Sequence, residues 1–142
     1  MKQSAGIFLL NRGTGQFLIV HPSGPYNRKA PWHIPKGELA AGTEADRESD
    51  LLENALRETL EETGLDLRKN SGASPRYLGK RKYRSGAKTV HAFFCQIDQS
   101  ENPAVQLDWE NDKYLWVEME KLPEYLHESQ IPFLEQIKEL LR

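Results

Sequence analysis

The sequence predicts a mixed α/β fold, and three observations point to it. Strand-like apolar segments occur near the start and in the second half of the chain, a helix with well-marked ends lies between them, and an amphipathic segment ends the chain. The 142 residues match the usual length of one domain and are enough to bury a core. We therefore expect residues 1–142 to form a single domain.

The first part of the chain predicts a hairpin followed by a loop. Residues 4–10 and 17–20 are apolar runs, and residues 11–15 between them are rich in turn-forming types. Such a pattern is typical of two antiparallel strands. Residues 21–30 contain two prolines and a glycine and predict a loop, after which residues 32–34 form a short extended piece.

A helix is predicted from Asp50 to Gly64. Asp50 can act as its N-cap, with Glu53 completing a capping box, and Gly64 can adopt the left-handed conformation that ends helices. Between these limits, side chains recur at steps of three and four residues and predict one buried face. They are Leu52, Leu56, Thr59 and Thr63.

The second half of the chain predicts three strands and a final helix. The strands are residues 76–82, 89–97 and 114–117, with Ser85 and Gly86 in the first turn. Residues 131–141 have the spacing of an amphipathic helix. Its predicted inner side consists of Ile131, Leu134, Ile137, Leu140 and Leu141.

Composition excludes several protein classes. The apolar run of residues 5–10 is too short to span a membrane, and the single Cys95 cannot form an internal disulfide. A lone cysteine fits a reducing compartment, and we expect a cytoplasmic protein. The net charge of −2 gives no general reason to expect DNA or an anionic membrane as a partner. The oligomeric state stays open.

The strongest chemical signal lies on the predicted helix. Glu58, Glu61 and Glu62 share one helix face, because they are three and four residues apart. Three neighbouring carboxylates repel one another unless a cation lies among them, and hard divalent cations such as Mg²⁺ prefer oxygen ligands. A metal site acting on phosphates would explain the cluster. A solvated helix surface is the alternative, since Glu-rich helix faces are common.

The residues before and within this helix resemble the signature of the Nudix hydrolases. The signature is Gly-x5-Glu-x7-Arg-Glu-U-x-Glu-Glu-x-Gly-U, in which U is aliphatic. The chain has PKGE at residues 35–38 and RETLEETGL at residues 57–65, and WHIPKG at residues 32–37 is similar to the family's approach to the motif.

Two departures accompany the resemblance. Gly37 and Arg57 are 20 residues apart where the signature has 14, so six residues are inserted and the first Glu of the signature is unplaced. Thr43 or Ser49 stands at its position, depending on the end from which one counts. Glu44 is one residue after Thr43, and Glu48 is one residue before Ser49, so neither falls on a counted position. Thr59 also replaces the usual aliphatic residue.

The resemblance implies a Nudix-type α/β/α sandwich with a mixed central sheet. It also implies hydrolysis of a nucleoside diphosphate linked to another group, by attack of water on phosphorus with Mg²⁺, or alternatively Mn²⁺, as cofactor. The implied catalytic residues are Glu58, Glu61, Glu62 and Arg57. The role implied for Arg57 is to orient the carboxylates of the helix. The implied metal ligands are Glu58, Glu61, Glu62, the Lys36 carbonyl and Glu110, with Asp112 as the alternative to Glu110. The general base is left open.

A second resemblance implies a class of substrate. Residues 110–116 and 88–90 resemble the dinucleoside polyphosphate hydrolases of the family. This implies that Tyr114 stacks on a base and that Lys88 meets phosphate, with Tyr83 as a second candidate for stacking. Packing beside Trp116 is the alternative role for Tyr114.

Charge is divided between two segments. Residues 37–64 carry nine acidic and two basic side chains, whereas residues 76–88 carry six basic and no acidic ones. The basic run, with Lys82 and Arg84, would suit distal phosphates or an RNA 5′ end, and a solvated edge hairpin is the alternative. Other open functions are hydrolysis of a nucleoside triphosphate, a nucleotide sugar or an RNA 5′ end, and nucleotide binding without catalysis.

Overall fold

A mixed six-stranded sheet with helices on both faces forms the fold. The computed structural model describes residues 2–69, 75–83 and 86–142. The strands are β1 (Lys2–Asn11), β2 (Gln16–Pro22), β3 (Lys36–Glu38), β4 (Arg76–Lys82), β5 (Lys88–Ile97) and β6 (Asn111–Glu118). The helices are α1 (Glu48–Thr63), α2 (Leu122–Tyr125) and α3 (Phe133–Leu140). The predicted α/β/α fold class with a mixed sheet is thereby confirmed.

The pairing of β1 creates an opening in the sheet. The strand order is β4-β5-β1-β2-β6, and β1 runs parallel to β5 along its whole length. On its other side, β1 pairs with β2 only at Leu10 and Asn11. At the start of β1, its neighbour is instead β3, with Ser4 opposite Glu38 and Gly6 opposite Lys36. The strands β1 and β2 therefore diverge toward the start of β1.

Two apolar cores lie on opposite faces of the sheet. Along β1, Ile7 and Leu9 face the core under α1, whereas Phe8 and Leu10 face the core under α3. This alternation follows from the two-residue repeat of a strand. Both faces of the central strands are thus buried, which explains why their sequences are continuous apolar runs.

Helix α1 begins earlier than the capping pattern predicts. It starts at Glu48, its N-cap is Arg47, and no side chain caps it. The prediction of Asp50 as N-cap is wrong because Asp50 lies in the first turn, where its Oδ2 accepts a hydrogen bond from the Glu44 N–H at 3.3 Å. The predicted end is confirmed: Gly64 has a φ of 77° and its N–H bonds to the Leu60 carbonyl.

The predicted buried faces are partly correct. In α1, Leu56, Thr59 and Thr63 are buried, but Leu52 is only partly buried, and Leu51 and Ala55 fill the core instead. In α3 the prediction fails for Leu140 and Leu141, which are exposed. The apolar stripe continues to the chain end, but only the earlier turns of α3, through Phe133, Leu134 and Ile137, contact the core.

The strand predictions are confirmed, with changed limits. The first hairpin and the strands β4 and β5 occur where predicted, and β6 begins at Asn111, three residues earlier than expected. The predicted loop contains a short 3-10 turn at Pro25–Asn27. Arg84 and Ser85 lie outside the described residues. In the described part of the chain, no helix combines the length and apolar character that a membrane crossing requires.

Candidate active site

A cavity of about 420 Å³ lies where β1 and β2 diverge. It is bordered by the first residues of β1 and β5, by β3, by α1 and by the loop that leads into β6. The walls differ in charge. We call Glu58, Glu62 and Glu110 the acidic wall, and Lys2, Tyr83 and Lys88 the basic wall.

Glu62 is the most buried residue of the acidic wall. Its Oε1 accepts a hydrogen bond from Asn111 Nδ2 at 3.1 Å and from the backbone N–H of Lys36 at 3.4 Å. Burial, followed by repulsion from Glu58, raises the pKa of Glu62 to about 8. A proton or a cation is therefore needed to stabilise this carboxyl group near neutral pH.

The pKa values of the other two residues of the acidic wall, Glu58 and Glu110, are also raised. Burial raises the pKa of Glu58, and the charges of Glu61 and Glu110 add to that effect, while the Arg57 guanidinium opposes it. The pKa of Glu110 is raised by desolvation and by the neighbouring charges of Asp108 and Glu61. The four glutamates are thus close enough to influence one another electrostatically, although α1 and the loop before β6 are distant in sequence.

Gly37 allows β3 to approach α1 closely. A Cβ atom at this position would overlap the carboxylate of Glu58. The absence of a side chain therefore lets the backbone of β3 lie against the acidic wall. The same approach brings the Lys36 N–H to Glu62. A side chain at position 37 would therefore displace the Glu58 carboxylate from its place in the acidic wall.

Arg57 contacts two carboxylates of its own helix. Its Nη1 lies 3.1 Å from Glu58 Oε1 and 3.2 Å from Glu61 Oε1. Its Nη2 donates to Asn54 Oδ1 at 3.0 Å. The side chain of Glu61 is 52 % exposed and does not border the cavity, in contrast to Glu58 and Glu62.

The donor chemistry of the acidic wall fits a hard divalent cation. Within the described ranges, no three His, Cys, Asp or Glu side chains already stand in an arrangement that would hold an ion. However, Glu58, Glu62 and Glu110 border one cavity, and the pKa of each is raised. A cation between these oxygens would relieve their mutual repulsion and replace lost hydration.

The basic wall combines two lysines with an aromatic ring. The Lys88 Nζ lies 5.7 Å from the centre of the Tyr83 ring, and the other neighbour of that ring is His127, at a centroid distance of 4.7 Å. Lys2 forms an exposed ion pair with Glu38 at 3.5 Å. The lining of the cavity therefore contains both carboxylates and ammonium groups.

Some residues that the sequence singled out do not reach the cavity. Tyr114 is 41 % exposed on the edge strand β6, opposite Val20 of β2. Asp112 pairs with His21 Nδ1 at 3.0 Å, while Glu110 borders the cavity. Lys82 borders a second, separate cavity together with Arg81 and Ser129. Arg84 lies outside the described residues.

Three residues of the site have no counterpart among the sequence-based candidates. Asn111 is buried and holds Glu62, and Asp108 lies near enough to raise the pKa values of Glu62 and Glu110. His33 borders the cavity, and burial lowers its pKa to about 3, so the ring is neutral. Its place within the WHIPKG segment is the one sequence signal that could have identified it.

Comparison with known proteins identifies the family. The NUDIX domain profile matches residues 1–137. An Ap4A hydrolase from C. elegans, solved as a binary complex, is 22 % identical, with 97 % of each chain covered and a TM-score of 0.73. The NUDIX domain of Shewanella oneidensis NrtR, complexed with ADP ribose, is 15 % identical over 99 % of this chain and 88 % of that one, with a TM-score of 0.71.

A third solved structure contains a metal ion. It is a bifunctional NMN adenylyltransferase/ADP ribose pyrophosphatase from Francisella tularensis, complexed with AMP and an Mn ion. It is 14 % identical, covers 97 % of this chain and 41 % of that chain, and has a TM-score of 0.69. Comparison with curated protein sequences gives no match.

At these identities the solved structures establish the fold, and the domain profile establishes the family. The resemblance seen in the PKGE and RETLEETGL segments is thereby confirmed. The chain belongs to the NUDIX domain family and is a Nudix hydrolase acting on phosphoric anhydride bonds.

Proposed function

We propose that this enzyme is a metal-dependent pyrophosphohydrolase of nucleotides with several phosphates, with a dinucleoside polyphosphate as the first candidate substrate. The observation that carries the proposal is one cavity lined by carboxylates, by lysines and by an aromatic ring. A polyphosphate substrate needs positive charge, which divalent cations held by the carboxylates and the ammonium groups of the lysines would both supply. The chain would work as one domain.

The acidic wall would hold the metal ions. The proposed ligands are the carboxylates of Glu58, Glu61, Glu62 and Glu110 and the backbone carbonyl of Lys36. When bound, Mg²⁺ or Mn²⁺ neutralises phosphate charge and lowers the pKa of the attacking water. The Francisella tularensis bifunctional protein, of which this chain covers 41 %, was solved with an Mn ion, which supports a divalent metal as the proposed cofactor.

The protein side chains would prepare the reaction in three ways. Asn111 and the Lys36 N–H hold Glu62 Oε1, so this carboxylate cannot turn away from the cavity. Arg57 holds Glu58 and Glu61 at about the same distance. One of the four carboxylates takes a proton from water as the new bond to phosphorus forms and the bond from phosphorus to the bridging oxygen breaks.

The basic wall would bind the substrate. Lys88 and Lys2 are suited to phosphate oxygens, and the Tyr83 ring offers a face on which a base can stack. A cavity of about 420 Å³ is within the range of ligand pockets, and the far end of a dinucleoside would extend beyond it. Tyr114 remains a candidate for that far end, together with Lys82 and Arg84 for distal phosphates.

One observation favours a second candidate substrate, an RNA 5′ end. Arg81 and Lys82 border a second cavity of about 310 Å³. They precede Tyr83 of the first cavity directly in sequence. A strand of nucleotides that leaves the first cavity past Tyr83 would meet these two cations, and phosphate contacts of this type do not depend on base sequence.

A substrate panel tests the proposal. Purified enzyme is incubated with diadenosine tetraphosphate, a nucleoside triphosphate, ADP ribose, a nucleotide sugar and a 5′-triphosphorylated RNA, each with Mg²⁺, Mn²⁺ or EDTA. Products are identified by mass spectrometry in ¹⁸O-labelled water, which shows the phosphorus attacked. We expect diadenosine tetraphosphate to be cleaved fastest, and only with metal.

Three outcomes separate the alternatives. Cleavage of a nucleotide sugar with intact diadenosine tetraphosphate would contradict the proposed substrate class, and cleavage that persists in EDTA would contradict the metal site. Binding without hydrolysis would identify a nucleotide-binding protein.

The lone cysteine, buried in β5, supports a reducing cytoplasm as the place of action.

A further inference from the structure

One buried amide joins the loop before α1 to the arginine beside the acidic wall. Asn54, on the second turn of α1, is only 6 % exposed. Its Oδ1 accepts hydrogen bonds from the Ala40 N–H at 2.8 Å and from Arg57 Nη2 at 3.0 Å. Its Nδ2 donates to Thr43 Oγ1 at 3.0 Å and to the Asp50 carbonyl at 2.8 Å. The amide uses two donor hydrogens and accepts two hydrogen bonds.

The first Glu of the Nudix signature has no counterpart in this chain, which has Thr43 or Ser49 at that position. Counting from Gly37, Thr43 stands at the position of the first Glu of the signature, and its hydroxyl contacts Asn54. Among the described residues, the carboxylates within 4.0 Å of the Arg57 guanidinium are Glu58 and Glu61, both from the same helix. An acidic partner from the preceding loop is absent from this part of the chain.

We propose that Asn54 is the positioning residue for Arg57 and, through Arg57, for the carboxylate of Glu58. The contacts form a short series from Asn54 Oδ1 to Arg57 Nη2, and from Arg57 Nη1 to Glu58 Oε1 at 3.1 Å and Glu61 Oε1 at 3.2 Å. Because the guanidinium is planar, holding one of its nitrogen atoms fixes the direction of the other.

A neutral partner has an electrostatic consequence. An acidic residue at this place would neutralise Arg57 and add a negative charge to residues 37–64, which already carry a net charge of −7. Asn54 holds the guanidinium without doing so. The positive charge of Arg57 therefore acts on Glu58, whose pKa it lowers against the opposing effect of burial.

The same amide explains how the chain accommodates the six inserted residues. Ala40 and Thr43 belong to the loop between β3 and α1, and both are attached to Asn54. The loop is therefore tied to the second turn of the helix, and the extra length lies outside the contacts of Arg57. Among the described residues, the contacts that orient Arg57 come from Asn54, Glu58 and Glu61 of its own helix, so the loop acts on the arginine through Asn54.

Three variants separate positioning from simple stabilisation. Asn54→Leu has a similar shape and removes all four hydrogen bonds. Asn54→Asp keeps an oxygen for Arg57 and Ala40. Thr43→Val removes one of the two contacts between Asn54 and the loop and leaves the contact between Asn54 and Arg57 in place. The readouts are the Kd for Mn²⁺ from calorimetry without substrate, the Tm, and kcat and KM on the substrate found in the panel.

The proposal rests on the proposed metal site, and it predicts a defined pattern. Asn54→Leu should raise the Kd for Mn²⁺ by about tenfold, as is usual when a residue that orients a ligand is lost, and should lower kcat more than it changes KM. Asn54→Asp, which keeps an oxygen for Arg57, should have a Kd for Mn²⁺ within about threefold of the wild-type value. Thr43→Val should lower the Tm only. If Asn54→Leu does not fold, Asn54→Ser, whose side chain is too short to reach Arg57, replaces it.

Distinct results overturn each proposal. A wild type that binds no Mn²⁺ overturns the proposed metal site together with this role of Asn54. If Asn54→Leu binds Mn²⁺ with the same Kd as the wild type and only its Tm is lower, the role of Asn54 is overturned and the metal site stands. An equal loss of Mn²⁺ affinity in Thr43→Val would also overturn it, because the loop and not Arg57 would then transmit the effect.

Discussion

The α1 carboxylates of the acidic wall and the lysines of the basic wall differ in burial. The acidic wall takes Glu58 and Glu62 from α1, where both side chains are buried, and Glu62 is held by hydrogen bonds. The basic wall takes Lys2 and Lys88 from the first residues of β1 and β5, and both lysines are exposed. Carboxylates that must share an ion need fixed positions, whereas ammonium groups that meet a flexible phosphate chain can adapt.

The comparison extends to neighbouring residues on one helix. Glu61 and Glu62 are adjacent in sequence, yet Glu62 lies in the cavity with its pKa raised to about 8, and the side chain of Glu61 is 52 % exposed. A desolvated carboxylate gains more from a cation than a solvated one. We therefore expect the two walls, and the two glutamates, to differ in the size and kind of effect that mutations cause.

The largest effect is expected from Glu62→Gln on the acidic wall. Loss of one buried ligand should lower kcat by about 10³-fold, equivalent to about 4 kcal/mol of lost transition-state stabilisation. The Tm should not fall, because the amide oxygen can still accept the hydrogen bonds from Asn111 and the Lys36 N–H, and a neutral amide avoids the cost of burying a carboxylate. Steady-state kinetics and thermal unfolding measure both.

Two variants on the same helix calibrate this result. Glu53→Gln, which alters an exposed residue paired with Arg68, should leave kcat unchanged. The kcat of Glu61→Gln should lie between those of Glu53→Gln and Glu62→Gln. A kcat for Glu62→Gln within threefold of the wild type would remove the basis for the acidic wall as the metal site.

His33 tests whether the cavity carries a further positive charge. Its pKa is about 3 in the folded protein and about 6.5 when unfolded, so between these pH values the unfolded chain binds the extra proton. The free energy of unfolding should therefore fall as the pH is lowered from 7 to 4. We expect this loss to be about 2 kcal/mol smaller in His33→Gln, discounted because the ring is partly exposed.

Urea unfolding at pH 7 and pH 4 measures this difference between wild type and variant. Equal losses in the two proteins would mean that the pKa of His33 is the same in the folded and unfolded states. The ring would then be charged in the folded protein at pH 4 and would add a cation to the cavity at that pH.

Lys88→Met tests the basic wall directly. The side chain keeps its length and loses its charge, so a phosphate contact made in substrate and transition state alike should disappear. We expect KM to rise about tenfold with little change in kcat. Lys80→Met, on the edge strand β4 and outside the cavity lining, is the matched control. A change in kcat alone would place Lys88 with the reacting groups.

The smallest expected effect distinguishes two tyrosines. Tyr83→Leu should raise KM about fivefold, near the lower end of the range for stacking of a base on an aromatic ring. Tyr114→Leu should raise KM less, because Tyr114 lies on β6 away from the cavity. Steady-state kinetics with diadenosine tetraphosphate give the KM of both variants. A larger effect at Tyr114 would show that the substrate extends along β6.

Local features of the site were predictable from the sequence because they depend on short spacings. The helix face of Glu58, Glu61 and Glu62 follows from the helical repeat, and the end of α1 at Gly64 follows from the conformational freedom of glycine. The start of α1 was not predictable from the capping pattern at Asp50, since Asp50 binds the preceding loop instead.

Features that join distant segments could not be read from spacing. Asn54 is an ordinary polar residue in the sequence, and its importance depends on Ala40, Thr43 and Arg57 meeting at one point. Asn111 gains its role only because β6 places it beside Glu62. The exposed position of Leu140 likewise depends on where the core ends, which the periodicity of α3 does not reveal.

By itself, the sequence determined the family, the alternating strand and helix order, and the chemical type of the site, since each depends on motifs and repeats within one segment. The tertiary structure decided which glutamates are desolvated, which partner Arg57 has, and which aromatic residue faces the carboxylates. Parallel pairing of β1 with β5 brings Lys2 and Lys88 together, and pairing of β3 with β1 brings Gly37 to Glu58. These distances follow from sheet register and close packing, which join residues far apart along the chain.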